Sequence, residues 1–195
     1  MEIHVDSRGS GEATVYDLLC ASQERHGAVV KRCALDVGDY LILDSDGKPA
    51  VCVERKTHAD MAGSLRTNHH VQEQVCRLKA LRATHKDLSV FIVYEGTISK
   101  NWHEGSNGGI SNMNADMYLT CLASRDGLLV HSTSGPEHTA RWLEGMILKE
   151  RKGTLRCRDG RGAPVGLAQC NAAQRTRSTK GVLGVSGGAC RRRCE

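Results

Sequence analysis

The chain has 195 residues, with 27 Lys or Arg against 22 Asp or Glu for a net charge of +5, and nine cysteines. That length suits one well-cored domain of about 150 residues with an appendage, and two full domains are not expected. No apolar run approaches the roughly 18 residues of a membrane span, the start lacks the basic-then-apolar order of a signal peptide, and an odd number of cysteines, with Cys20, Cys33, Cys52, Cys76 and Cys121 in apolar periodic segments, argues for free thiols packed as small hydrophobes in a reducing, intracellular compartment.

In chain order, "EIHV" reads as a short strand running into "DSR", and "ATVYDLLCAS" as a helix with Val15, Leu18 and Leu19 on one face. Next, "AVVKRCAL" and "YLILD" read as strands, and the Asp-Gly and Pro of "DSDGKP" turn the chain into "AVCVERK", so these strands are expected to form a meander. From "THADMAGSL" the period becomes helical, and "HVQEQVCRLKALRATH" lines Val71, Val75, Leu78 and Leu81 along one face. "LSVFIVYEG" is the continuous apolar run of a central strand covered on both sides. "TISKNWHEGSNGGISN" has the Gly and Asn density of an exposed loop. "ADMYLTCLASRDG" then reads as a helix stopped by Gly127, "LLVHST" as a strand, and "SGPEHTARWLEGMILKERKG" as a long amphipathic helix starting near Ser132 or Ser134. Strands separated by helices on both sides predict a three-layer α/β domain over residues 1–150.

Charge is uneven along the chain. Residues 151–195 hold 11 Lys or Arg against Asp159 and Glu195, a net of +9, whereas residues 1–150 hold 16 against 20, a net of −4. The tail is rich in Gly, Ser, Thr and Arg and poor in aromatics, so a flexible basic arm that neutralises phosphates is expected, with a merely solubilising tail as the plain alternative. Arg191, Arg192 and Arg193 read as DNA contacts or as a nuclear targeting signal. Cys157, Cys170, Cys190 and Cys194 offer thiols for Zn²⁺, but only the last pair is close, at the edge of usual finger spacing.

One stretch does not suit a buried strand. "AVCVERKTHAD" sets Glu54, Arg55, Lys56 and Asp60 against an apolar run, and ionised side chains enter cores only when paired or holding a metal. Residues two apart on a strand share a face, so Glu54 and Lys56 project together while Arg55 points across the sheet. If "GDYLILD" pairs with "AVCVERK" through the Asp46-Gly47 turn, Asp39 comes near Glu54, although the register cannot be read from the sequence. Neighbouring carboxylates call for a cation, and Mg²⁺ is the natural hard choice. A metal on Asp39 and Glu54 would polarise a phosphoryl oxygen and lower the pKa of a bound water, with Lys56 positioning that water or offsetting charge. That arrangement suits phosphodiester hydrolysis. A surface ion-pair cluster is the competing reading, and spacing alone does not separate the two. His69 and His70 are adjacent, about 100° apart on a helix, and so poorly placed to share a metal; a helix start or a DNA-facing pair is expected.

The blocks "GDY", "VERKTHAD", "SL", "VQEQVCRL" and "VFIVYEG", in this order, resemble the nuclease domain of the XPF-type structure-specific endonucleases. That family's signature is GD, a gap, and ERK with an Asp four residues after the Lys. The resemblance extends more loosely to "VDSRG" and to "RDGLLVHSTSGPEHTARWL", so that it spans residues 2–150. It implies a restriction-endonuclease-like α/β core with a mixed central sheet, Mg²⁺ or Mn²⁺ as cofactor, and branched DNA such as flaps, forks and bubbles as substrate in repair or recombination. By the same resemblance, Asp39 and Glu54 are metal ligands, Arg55 and Lys56 active-site bases, and Asp60 a support from the following helix. Asp6 and Arg8 would lie nearby as an accessory pair, and Arg66, His70 and Gln74 would face DNA.

The family's habit of pairing implies a homodimer or heterodimer formed through this domain. Ala140, Trp142, Leu143, Met146 and Ile147 of the final helix offer more apolar surface than one sheet face needs; the competing reading is a stripe buried within the monomer. Departures matter too. Gly9 stands where the family has Glu after Asp-x-Arg, His70 stands about where an Arg precedes the Gln74 helix, and the tail does not read as a paired helix-hairpin-helix module. Substrate choice would then rest on the tail or on a partner. The function expected is a metal-dependent DNA endonuclease, acting in a eukaryotic nucleus or at a site of viral or archaeal DNA replication, with no membrane partner. The alternatives are a non-catalytic DNA-binding subunit of a nuclease heterodimer, against which the intact charged set argues, and a Holliday-junction resolvase on the same core.

Overall fold

A computed structural model describes residues 1–9, 11–67, 69–96, 112–155, 157–158 and 164–165. They fall into two units, Met1–Gly153 and Thr154–Glu195. The first is built on β1 (Glu2–Asp6), β2 (Val29–Cys33), β3 (Tyr40–Leu43), β4 (Pro49–Thr57), β5 (Ser89–Glu95) and β6 (Leu129–Thr133), in the spatial order β2-β1-β3-β4-β5-β6. β3 runs antiparallel to both β1 and β4, and the remaining neighbours are parallel, so the sheet is mixed.

Parallel neighbours need crossovers, and helices supply them. α1 (Glu12–Ala21) and α2 (Gln23–His26) join β1 to β2. α3 (His58–Thr67) and α4 (His69–Thr84) join β4 to β5, α5 (Asn112–Ser124) joins β5 to β6, and α6 (Pro136–Arg151) follows. The expected meander is therefore corrected. The helical crossover returns β2 parallel to β1 at the sheet edge, which leaves the other side of β1 free for β3. Only the β3–β4 hairpin is as expected, its turn held by Asp44 Oδ1, which accepts the Asp46 and Lys48 N–H groups at 2.9 Å each.

Strand alternation divides the core. Cys52, Val90, Ile92 and Tyr94 are buried against Met61, Val75, Leu78, Leu119 and Leu122 of the α3–α5 layer. Val51, Val53 and Val93 are buried on the other face, the side of α1 and α6, which pack on each other and bury Val15, Leu19, Leu143 and Ile147. Each such side chain contributes about 1.5–3 kcal/mol, so both layers clamp the sheet and fix where its strand ends stand.

Two further expectations change. Of the five cysteines taken as packing residues, only Cys52 is buried, whereas Cys20 and Cys76 are exposed, each one position beyond a buried residue of its helix. In α6, Pro136 takes the first helical position after Gly135, and the Ser134 N–H and hydroxyl meet His138 Nδ1 at 3.2 and 3.3 Å. Its apolar stripe is consumed by the chain itself, since Ala140, Leu143, Met146 and Ile147 are all buried. Trp142 is half-buried, stacked on His131 at 4.8 Å between centroids and edge-on to Phe91 at 5.2 Å.

In the second unit β7 (Cys157–Arg158) pairs antiparallel with β8 (Pro164–Val165). Among the described residues no helix is long and apolar enough to cross a membrane. The expected loop, except for Asn112 at its end, and the Cys170, Cys190 and Cys194 thiols lie outside the described residues.

Candidate active site

Gly38 has φ +77°, and a Cβ there would meet Cys52 Sγ at 2.7 Å and the Val53 carbonyl at 3.0 Å, so glycine is what lets the chain turn this tightly onto β4. The turn delivers Asp39. Its N–H donates to the Val53 carbonyl and its carbonyl accepts the Asp6 N–H, both at 2.8 Å. Tyr40 is in register with Val5 on one side and Val53 on the other, so one step further Asp6, Asp39 and Glu54 stand in a row across β1, β3 and β4. The side chains are held as well: Asp39 Oδ2 accepts the Arg55 N–H at 2.6 Å, and Lys56 Nζ lies 3.1 Å from Glu54 Oε1.

A cleft of about 120 Å³ opens along this row, bounded by Asp6, Asp36, Asp39 and Glu54 and faced by Gln74 and Arg77 of α4. Arg8 also lines it, with Nε–H donating to Asp6 Oδ1 at 3.1 Å and Nη2 to the Leu35 carbonyl. Burial, and next the neighbouring Glu54 charge, pushes the Asp39 carboxyl up to about 8. Burial also raises Glu54, with the Lys56 ammonium acting against it. Asp6 goes the other way: burial is outweighed by hydrogen bonds from Arg8 and the Leu35 N–H, which hold its carboxyl below the usual range.

Two adjacent carboxyls driven up together mark a place short of positive charge. A hard divalent cation fits that donor set, because Mg²⁺ takes one or two carboxylates and keeps its other positions for water or phosphate oxygens. Among the described residues no three His, Cys, Asp or Glu side chains converge as a closed cage, so Asp39 and Glu54 would hold such an ion openly.

Arg55 is not in the cleft, which corrects its expected place among the active-site bases. Alternation along β4 carries its side chain through to the α1 and α6 layer. There Nε–H donates to Glu95 Oε2 at 2.8 Å, Nη2 to Glu95 Oε1 at 2.5 Å, and Nη1 to Glu12 Oε1 at 3.4 Å. The Thr139 hydroxyl donates to Glu95 Oε2 at 2.7 Å. The Glu95 bonds hold the guanidinium above its usual pKa, so it stays charged. Only the Arg55 backbone N–H serves the cleft.

Asp60 also works locally. Its Oδ2 accepts the Thr57 hydroxyl at 2.6 Å while Thr57 Oγ1 accepts the Asp60 N–H at 3.1 Å, a reciprocal cap that starts α3. The side chains of Arg66 and His70, and all of Arg191, Arg192 and Arg193, lie outside the described residues. Arg77, which lines the cleft, and Glu12 and Glu95, which hold Arg55 on the other face of the sheet, are residues that no sequence motif singled out. An arginine turned into a core demands carboxylates, and Glu95 at the end of an apolar strand was the available signal. Gly9, where an acid was expected, has its own explanation: a Cβ there would lie 1.7 Å from Glu12 Oε2, so the Glu12 carboxylate fills that space.

The sheet, its two helical layers and this row of carboxylates define an α/β domain of the nuclease type. The family model for the ERCC4 domain matches residues 5–146, and the chain belongs to that family, the family of XPF-type nuclease domains. Among solved structures, XPF from Aeropyrum pernix is similar at 27% identity with a TM-score of 0.54, over 75% of this chain and 64% of that one. The chain thus spans less than two thirds of that relative. XPF from Aeropyrum pernix in complex with DNA is similar in fold at 23% identity with a TM-score of 0.56, over 95% of this chain and 76% of that one. No curated protein matches.

Proposed function

We propose that the chain is a divalent-metal-dependent endonuclease that hydrolyses phosphodiester bonds in branched DNA, such as flaps, forks or junctions, in repair or recombination. The observation that carries this reading is the row Asp6–Asp39–Glu54 with Lys56 on Glu54, open to a cleft. A relative that is solved with DNA supports nucleic acid as the partner.

When bound, Mg²⁺ or Mn²⁺ on Asp39 and Glu54 supplies Lewis acidity toward a phosphoryl oxygen and makes water a better nucleophile. The chain's residues prepare the place. The Arg55 N–H fixes the Asp39 carboxylate, and Lys56 holds Glu54 in one orientation while setting a positive charge where phosphate charge builds. Arg8 orients Asp6, whose carboxylate stays ionised beside them. The test is cleavage of labelled flap, fork, nicked and four-way substrates with Mg²⁺, Mn²⁺ or Ca²⁺. Cutting of branched substrates with Mg²⁺ or Mn²⁺ is expected; equal, metal-independent action on all of them would overturn the reading.

The basic tail is proposed to add sequence-independent affinity by releasing counterions. Deleting residues 155–195 is expected to weaken DNA binding and flatten its salt dependence, as read by anisotropy titrations at several salt concentrations. An unchanged slope would assign the tail to another partner.

Pairing through the domain, if α6 mediates it, must centre on Trp142, because the rest of the apolar stripe is already buried. Trp142→Glu is expected to turn a dimer into a folded monomer with poorer junction cutting, as followed by light scattering at micromolar concentration. An unmutated protein that is already monomeric removes the idea.

A further inference from the structure

One face of α4 contributes to the lining of the same cleft as the carboxylates. Gln74 and Arg77 are three residues apart, hence on one side of the helix, and both line the cleft with Asp39 and Glu54. Gln74 Oε1 is buried there without a hydrogen-bond partner. Such an oxygen demands an explanation, since buried acceptors are almost always satisfied. The cations nearby are otherwise engaged: Arg8 with Asp6 and the Leu35 carbonyl, Lys56 with Glu54. Arg77, by contrast, is exposed and makes no ion pair among the described residues.

These are complementary vacancies in chemistry. An unsatisfied carbonyl oxygen in the same cleft as two carboxylates short of positive charge suits a hard cation, for which amide oxygens are good ligands. A spare guanidinium one turn further on suits an anion, and its fork of donors matches phosphate oxygens. We propose that this face of α4 divides the work: Gln74 gives the cation on Asp39 and Glu54 a further oxygen, and Arg77 anchors a phosphate of the bound nucleic acid. Gln74 then belongs to the metal rather than to the DNA, where the sequence had placed it.

The proposal rests on the endonuclease reading, and its test separates the two. Mn²⁺ binding is followed by electron paramagnetic resonance without nucleic acid, and binding of a labelled fork by anisotropy in saturating Ca²⁺ over a salt series. Gln74→Met is expected to weaken Mn²⁺ about tenfold with fork affinity within about twofold. Gln74→Glu, which keeps an oxygen in place, restores Mn²⁺ binding, as a purely structural role would not require. Arg77→Ala, at an exposed position, is expected to leave Mn²⁺ binding unchanged, weaken the fork several-fold and reduce the salt slope by about one. If Asp39→Asn loses Mn²⁺ while the Gln74 and Arg77 variants fail to split in this way, the division of work is wrong and the carboxylate site stands. If the unmutated protein binds no Mn²⁺, or if Asp39→Asn binds it as tightly as its parent, the endonuclease reading falls and this proposal with it.

Discussion

Asp39→Asn is expected to lower cleavage at least about a hundredfold and, in the absence of metal, to make the protein more stable. The two effects have one origin. A carboxyl with an ordinary value of 3.8, pushed up to about 8 in the folded chain, keeps a proton that the unfolded chain releases. Its contribution to stability is whole below about pH 4, is lost progressively as pH rises towards about 8, and is constant above that. Asparagine carries no such slope. Near pH 8 the variant should therefore exceed the parent in stability and melt at a higher temperature. Mg²⁺ should restore stability to the parent by mass action and leave the variant unmoved. Calorimetry from pH 5 to 8.5, with and without Mg²⁺, beside a cleavage assay on the same preparations, decides it. A variant that is less stable at every pH and is indifferent to metal in the same way as its parent would make Asp39 a structural residue.

Arg55→Met should have the opposite signature. It removes the charge that Glu95 and Glu12 share on the far face of the sheet, where the Arg55 and Glu95 side chains are only 8% and 7% exposed. Breaking a buried pair leaves uncompensated carboxylates and costs about 3–5 kcal/mol, a fall of roughly 10 °C in melting temperature. Arg55→Lys should recover little of this, because an ammonium cannot reproduce the two parallel bonds to Glu95. Cleavage should follow the folded fraction, with Mg²⁺ affinity of the folded protein preserved. If Arg55→Met melts like its parent yet no longer cuts, the guanidinium acts on substrate and this description of its place is wrong.

The two variants also show what could be read from the chain before its structure. Alternation along "VERK" is local, so Glu54 and Lys56 on one side and Arg55 on the other were legible, even though family resemblance grouped all three in the site. The row with Asp39 was not, because it depends on a hairpin whose pairing shifts between Ile42 and Leu43 and on a turn at Gly38 that packs against β4. The position of β2 was hidden for a similar reason: the hydrophobic pattern of a strand does not say which side of an earlier strand a crossover will return to. Nor does a wide apolar stripe name its cover, and in α6 that cover is α1 and α2 from the start of the same chain. Gln74 was legible as a site residue, whereas nothing in the bare sequence singled out Arg77. The unsatisfied oxygen of Gln74 was not legible, since it exists only once the cleft has formed.

The Glu12 carboxylate makes positions 9 and 12 a single evolutionary choice. One of its oxygens occupies the space of a Cβ at Gly9, and the other faces Arg55. Gaining an acidic side chain at position 9 displaces Glu12 from that space, and Arg55 is left with Glu95 alone. The two sites are therefore expected to change together among relatives, although they lie on opposite sides of a turn and only one of them looks, in the bare sequence, as though it had lost anything.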